Sequence, residues 1–417
     1  MSSFLREWYS KSQHPALLGM ALILTTATQF RFSNIPVGLG EVLLVTLLIV
    51  WWSGYCSGSI PLASQRMVAW CFGCFWAIAL ICLSIGAWIG IQTGLNQLER
   101  MEHDFLAYVL GFVSSLTIAL LPGTRVEIER RLLALTLCSL VCGCGLWLLA
   151  YGYPSLNELL WYNDQRFRGW AANPNQMALL LLWAPFLSFF FMERFTQKLT
   201  LGWIVLTATA LAAGWTTASD ALRGAWISVI PLLAGAWLID GVFRGNHASM
   251  RNLLRLIATL SLAVGLLFVA HWIAAYRVTD NGMMPQIQGT IRLKLLEHGI
   301  DAWLASPWFG LGPGSHSGFW RAFQGIESHN SLVDWATNTG IIGLFALLSL
   351  GGCVVWRVWQ TRQWTLLAAL MVLVVFAQAH HTLRHPLVWA WLVLMTQWSQ
   401  AEPANPYSGA SIYPNLP

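Results

Sequence analysis

His329 stands in the run Glu327-Ser328-His329-Asn330-Ser331-Leu332, just ahead of an apolar segment. An imidazole is the one side chain whose ordinary pKa suits proton transfer near neutral pH, so His329 is a candidate general base. The plainer alternative is a loop histidine bonded to a backbone carbonyl, and that role fits His298 and His316 better. A second constellation is made of arginines: Arg166, Arg168, Arg223, Arg277, Arg292, Arg321 and Arg384. Arg223 begins an apolar run after Ser219-Asp220-Ala221-Leu222. A helix N-terminus offers free N–H groups and a positive dipole end, so an arginine there favours phosphate; a snorkelling residue or a partner of Asp220 is the alternative. Arg292, on a segment with helical apolar spacing, is open to the same two readings. In Arg166-Phe167-Arg168-Gly169-Trp170-Ala171-Ala172-Asn173-Pro174-Asn175-Gln176, the Asn-Pro-Asn turn predicts a helix start with Asn175 as its cap. The same amides would suit sugar hydroxyls if they line a cavity.

The elements that must position these residues are apolar. The 417-residue chain is 56% hydrophobic and 10% charged, has 25 Trp and a mean hydropathy of +0.58. Continuous apolar runs, rather than alternating ones, predict membrane helices of roughly 20 residues each and exclude a barrel. Candidate spans fall near residues 14–30, 34–53, 67–90, 105–121, 132–151, 176–192, 199–215, 224–243, 256–275, 339–356, 364–380 and 387–399. The expected fold is an all-α polytopic membrane protein of about twelve spans. Between the ninth and tenth lies one long polar loop, residues 276–338, which holds Arg292, His329, Asp334 and most of the other reactive side chains. Within it, Ile291–Leu304 has helical spacing, Pro307 and the Gly310–Gly314 run break it, and Asn330–Asn338 starts the next helix.

Basic residues are retained on the cytoplasmic side. With the N-terminus inside, 13 of the 23 Lys and Arg fall in inner loops, and four of the remaining 10 sit in the long loop, which counts little. Both termini are then cytoplasmic, and the long loop, residues 152–175, Arg223 and the His-rich turn 380–385 share the outer face. That rule accounts for the net charge of +5 without a nucleic-acid partner. Residues 1–13 lack the pattern of a removable signal peptide, and 401–417 is a flexible tail in composition. The eight Cys lie in or beside apolar segments or on the inner side and form no disulfide framework or zinc spacing. No nucleotide or metal motif is present, and Gly310-Leu311-Gly312-Pro313-Gly314 lacks the strand and Lys of a phosphate cradle.

Taken in order, these segments resemble the O-antigen ligase and O-antigen polymerase superfamily of bacterial membrane glycosyltransferases. The resemblance is carried by Ile35-Pro36-Val37-Gly38-Leu39-Gly40-Glu41, by Arg168-Gly169 through Asn173-Pro174-Asn175, and by Arg223-Gly224-Ala225. It continues in Arg292–Trp303 followed by Pro307, Gly310, Gly312 and Gly314, and in His329-Asn330-Ser331-Leu332 with Gly340 and Gly343. One departure is visible: Leu222, not Ser, stands directly before Arg223.

The resemblance implies a GT-C-like membrane fold, with residues 1–400 as one domain in the bacterial inner membrane and the site facing the periplasm. It implies an undecaprenyl diphosphate-linked glycan donor among membrane lipids and a lipid A-core acceptor, with no cofactor and no metal. His329 would be the catalytic base, Arg223 and Arg292 would hold the diphosphate, and Arg168, Asn175 and Asn330 would line the donor or acceptor cavity. A polymerase or a protein O-oligosaccharyltransferase would share the donor and differ in acceptor. From another class, a transporter or flippase would show internal repeats and charges or broken helices near the bilayer midplane.

Overall fold

The computed structural model describes residues 15–32, 37–58, 66–96, 98–163, 165–194, 197–275, 286–316 and 326–401. Arg277, Arg321, Ile35, Pro36, residues 1–14 and the tail from 402 lie outside the described residues. Among the described residues, fourteen helices longer than one turn follow in chain order: α1 Pro15–Leu24, α2 Leu39–Cys56, α3 Arg66–Gln92, α4 Leu98–Leu120, α5 Arg125–Gly152, α6 Pro174–Leu181 and α7 Ala184–Met192. They continue with α8 Gln197–Thr216, α9 Asp220–Phe243, α10 His247–Ala275, α11 Gln286–Ala305, α12 Ser331–Gln360, α13 Trp364–Ala377 and α14 Pro386–Gln400. Among the described residues, eight segments are long and apolar enough to cross a membrane, with α6 and α7 together forming one of them. The chain is a helical membrane protein. Among the described residues, the departure from an all-α chain is a two-stranded hairpin, β1 Trp161–Tyr162 and β2 Arg166–Phe167, with Trp161 opposite Phe167.

Two kinds of helix divide the work. On α7 every residue from Ala184 to Met192 is buried, and α14 buries Trp389, Trp391 and Trp398. These are the central elements. Peripheral helices instead expose apolar side chains, such as Phe268 at 75% and Phe345 at 71%, which water would not tolerate in such numbers but lipid does. An aromatic cluster locks the centre, with Trp76 and Trp389 ring centroids 4.7 Å apart and Tyr108 edge-on to Trp335 at 5.4 Å.

Three local features depart from the sequence expectation. The single span near 176–192 is broken between α6 and α7, because Pro185 lacks the N–H that would continue the ladder. Trp226 Nε1 donates to the carbonyl of Leu182 exposed there, at 3.2 Å. Glu41, within an apolar segment, belongs to the first turn of α2: its Oε2 accepts from Gly38 N–H at 3.0 Å and its Oε1 pairs with Arg31 at 2.7 Å. Helix α12 is two helices joined at Gly340, whose φ of 67° and ψ of −169° are not helical.

That break is filled by the glycine run. Leu311 N–H donates to Thr337 O at 2.7 Å, Gly312 N–H to Asn338 O at 3.2 Å, and Ile341 N–H to Pro307 O at 2.8 Å. Asn96 Nδ2 donates to the Leu311 and Pro313 carbonyls from the far side, at 2.9 and 2.8 Å. The loop backbone thus supplies what the helix lost, the condition for irregular backbone beside lipid. With Leu311 and Gly312 N–H committed to α12 carbonyls, the run does not cradle an anion.

Candidate functional site

Side-chain contacts sort the bundle into two ends. One gathers Asn96, Asp104, Arg166, Asn175, His381 and Arg384; the other gathers Glu129, Glu193, Arg194, Asn252 and Arg255. A cavity of about 550 Å³ between α3 and α12 is lined by Cys71, Phe75, Ile342, Phe345 and Cys353, among others. Its apolar walls offer nothing for charge stabilisation. A polar cavity of about 310 Å³ opens at the first end, where the starts of α6 and α14 meet the end of α13 and the segment before α12. Asn175, Gln176, Glu327, His329, His380 and Arg384 are in its wall.

His329 is presented in an unusual way. Its φ of 56° is left-handed, a conformation uncommon for a residue other than Gly, Asn or Asp. The backbone on either side is fastened: Ser328 N–H donates to Asp334 Oδ1 at 2.8 Å, Asn330 Oδ1 caps Leu332 and Val333 N–H at 3.0 and 3.2 Å, and Ser331 Oγ donates to His380 O at 2.6 Å. The ring itself makes no hydrogen bond to a described residue. Its centroid lies 6.0 Å from that of His380, edge to face. Burial holds the His329 pKa below the ordinary histidine value, the Asp334 carboxylate raises it, and the charge of Arg292 lowers it. The ring is neutral at neutral pH, as a base must be.

The other predicted residues separate into two groups. Asn175 joins His329 in the cavity wall and accepts from Arg166 Nη2 at 3.2 Å, while Arg166 Nε reaches Thr217 O at 3.1 Å. Burial lowers the Arg166 pKa; Asp220 offsets this, and Arg292 and Arg223 add to it, so the three guanidinium groups lie within electrostatic range of one another. Arg223 donates to Trp215 O at 2.8 Å through Nη2 and stands over the Trp215 ring. Arg292 is half-buried on α11 with no hydrogen bond or ion pair to a described residue. Arg168 does not line the cavity. Its Nη2 donates to Glu158 O at 2.5 Å and its Nε to Leu159 O at 3.3 Å, which ties the hairpin to the one-turn helix Asn157–Leu160 that precedes it. Asn330 also stands back, capping α12 and donating to Gln378 O at 3.3 Å. Nor does Asn175 cap α6: that acceptor is Asn173, whose Oδ1 takes Asn175 N–H at 2.9 Å, because Pro174 prefers the first helical position.

Several site residues carried little signal. Arg384 appears among the outer arginines and His381 in a His-rich turn, yet each has a partner on α4, 280 and 273 positions away in sequence. Arg384 Nη1 meets Asp104 Oδ1 at 2.5 Å, and its Nη2 pairs with Glu327. Tyr108 OH bonds His381 Nε2 at 2.9 Å and accepts from Asn338 Nδ2 at 2.7 Å, while His381 Nδ1 faces Asp334 Oδ2 at 3.7 Å. A tyrosine inside an apolar run gives no hint of this. Among the described residues no group of three or more His, Cys, Asp or Glu is arranged to hold a metal ion.

Burial also sets a pH dependence. It holds the pKa of His380 at about 3, helped by His329 and Arg292, and that of His385 at about 3, helped by Arg384. Both folded-state values lie below the ~6.5 of a free histidine, so the stability that comes from neutral rings is complete above that pH and is lost as pH falls towards 3. The loss is about 1.4 kcal/mol per pH unit for each ring. The melting temperature in detergent is expected to fall steadily between about pH 6.5 and 4, and His380→Gln should flatten the slope. A constant melting temperature over that range would contradict buried neutral rings.

Comparison of the sequence with known protein families finds no match, and comparison with curated proteins finds none.

Proposed function

We propose that the chain is a glycosyltransferase of the O-antigen ligase type, moving a glycan from undecaprenyl diphosphate to the lipid A-core at the periplasmic face of the bacterial inner membrane. In this reading α1–α10 and α12–α14 make twelve crossings, with α6 and α7 counted as one and α11 outside the membrane. Both termini are then cytoplasmic. The observation that carries the proposal is His329: a ring free of hydrogen bonds to described residues, in the wall of a polar cavity and within electrostatic range of both the Asp334 carboxylate and the Arg292 charge.

The chemistry follows from that placement. The acceptor hydroxyl gives its proton to the free ring nitrogen of His329 as its oxygen attacks the anomeric carbon. The bond from that carbon to the diphosphate oxygen breaks, the configuration inverts, and undecaprenyl diphosphate leaves with the electron pair. Arg223 and Arg292 offset the charge that builds on the leaving group, and Asp334 offsets that of the imidazolium. The donor is already activated, so no nucleotide is needed.

Transport is the second reading, favoured by the break in α12 and by Pro231 within α9. Against it, the carbonyls of Thr337 and Asn338 that the break frees already accept from the loop, which leaves them poor ligands for a transported ion.

The deciding experiment supplies purified protein with an undecaprenyl diphosphate-linked glycan, with or without rough lipopolysaccharide, in EDTA. Transfer to the lipopolysaccharide is expected, and Arg292→Gln should lower it about 100-fold or more by removing charge stabilisation. Chain growth without added acceptor would identify a polymerase, and transfer only to a protein a protein O-oligosaccharyltransferase. Donor movement across a vesicle without any transfer would favour transport.

A further inference from the structure

Among the described residues, α11 is not one of the helices long and apolar enough to cross a membrane, and it carries Arg292, Lys294, Glu297 and Asp301. It is not a water-covered helix either, because its side chains sort into distinct sectors around the axis. Leu295, Gly299 and Ala302 are buried, and α11 packs on α12. Leu293, Ile300 and Leu304 are exposed at 57%, 38% and 60%. Spaced seven and four positions apart, these three fall within roughly 40° of one another at about 100° per residue and make one continuous apolar edge. Lys294, Glu297 and Asp301 are exposed on one flank of that edge. Arg292, Leu296 and Trp303 are half-buried on its other flank, towards the bundle.

Such a division calls for two surroundings outside the protein, one that accepts bare apolar side chains and one that solvates charge. The surface that adjoins the apolar edge says what the first of them is. Past the end of α11 the chain runs through Trp308, exposed at 66%, and there it is bonded to α12: Ile341 N–H donates to Pro307 O at 2.8 Å and Ile342 N–H to Trp308 O at 3.5 Å. Ile341, Ile342 and Phe345 are exposed in turn, Phe345 at 71%, on the lipid-facing side of α12. The apolar edge therefore leads, through Trp308, onto a surface that lipid already covers. Tryptophan at such a junction is the residue that the membrane–water interface favours, with an apolar ring and one polar N–H.

We infer that α11 is an interfacial helix, seated in the surface of the bilayer with its Leu293–Ile300–Leu304 edge among the lipid chains and its Lys294–Glu297–Asp301 flank in water. Its partner is the bilayer itself, at the end of the bundle that holds the polar cavity, since Arg292 on α11 acts on the His329 and His380 rings in that cavity. The inference does not depend on glycan transfer, because a transporter would seat the helix in the same way. For the transferase reading it has one consequence. Arg292, half-buried between the apolar edge and the bundle, is held at the level of the lipid headgroups, where the phosphate of a membrane-borne donor must lie.

The test is cysteine accessibility in the full-length protein, reconstituted at one copy per nanodisc and read peptide by peptide by mass spectrometry, so that the eight native cysteines do not interfere. Leu293→Cys, Ile300→Cys and Leu304→Cys are expected to react with a charged, membrane-impermeant thiol reagent about tenfold or more slowly than Lys294→Cys, Glu297→Cys and Asp301→Cys. Labelling of the buried Cys82 and Cys144 would expose any variant that has unfolded. In a second arm the wild-type protein is irradiated with a phospholipid that carries a diazirine high in its acyl chain. Lipid label is expected on the Leu293–Leu304 edge and not at Lys294 or Asp301. Equal reaction of the two sets of cysteines would place the edge in water and overturn the inference. Slow reaction without lipid label would mean that protein covers the edge, a second copy or another part of this chain, and would overturn it as well. Neither arm reads transfer, so a protein that transfers no glycan could still pass both.

Discussion

His329→Asn is expected to lower glycan transfer by roughly 100-fold to 10,000-fold, the usual contribution of a positioned general base, with the melting temperature nearly unchanged. Asparagine is the informative replacement because the backbone at 329 is left-handed, with φ of 56°. Asn tolerates that region, whereas Ala would add a strain of about 1 kcal/mol and confuse lost chemistry with lost structure. Nothing else in the fold should depend on the ring, which makes no hydrogen bond to a described residue. The fastening of its neighbours through Asp334, Asn330 and Ser331 survives the substitution. Transfer by the Asn variant at the wild-type rate would remove His329 from the chemistry, and with it the observation on which the functional proposal stands. A large fall in melting temperature would show instead that the ring holds the loop.

The sequence made some of this legible, for identifiable reasons. Helices of this kind announce themselves by length and composition alone: among the described residues each apolar segment contains helix, and eight segments are long and apolar enough to cross a membrane. His329, Arg292 and Arg223 stood out because a polar or ionisable residue at the edge of an apolar run has few structural excuses. Arg168 stood out for the same reason and is a structural residue: which carbonyl a guanidinium reaches is decided by the fold, and Arg168 and Arg166, two positions apart, point to different tasks. The Asp104–Arg384–Glu327 and Tyr108–His381–Asp334 contacts were out of reach because they join α4 to the α13–α14 turn, the start of α12 and the segment before it. Local spacing holds no information about such pairings. The break in α12 had a visible cause in Gly340 but no visible filling, since a glycine in an apolar helix is equally consistent with a close helix contact.

That filling yields the largest structural effect expected here. Gly340→Ala should destabilise the protein by about 4 kcal/mol or more, enough to prevent accumulation of folded protein. Two independent penalties meet at this position. Its φ of 67° and ψ of −169° belong to a region that is essentially closed to residues with a Cβ. The added Cβ would also stand 2.1 Å from the Trp308 carbonyl carbon and oxygen, which are backbone atoms and cannot swing aside. Relief would require withdrawing the Pro307–Gly314 loop, and with it the N–H donors that satisfy the broken end of the helix. Gly351 on the same helix is the control: a Cβ there meets nothing within 4 Å, so Gly351→Ala should be neutral or stabilising by about 0.5–1 kcal/mol through helix propensity. The comparison is made on detergent-purified protein by thermal unfolding, with yield of monodisperse material as a second readout. Matching stability of the two variants would mean that α12 can straighten without cost. In that case the loop could not be what fixes the first turns of α12, where Ser331 and Asp334 hold the backbone on either side of His329.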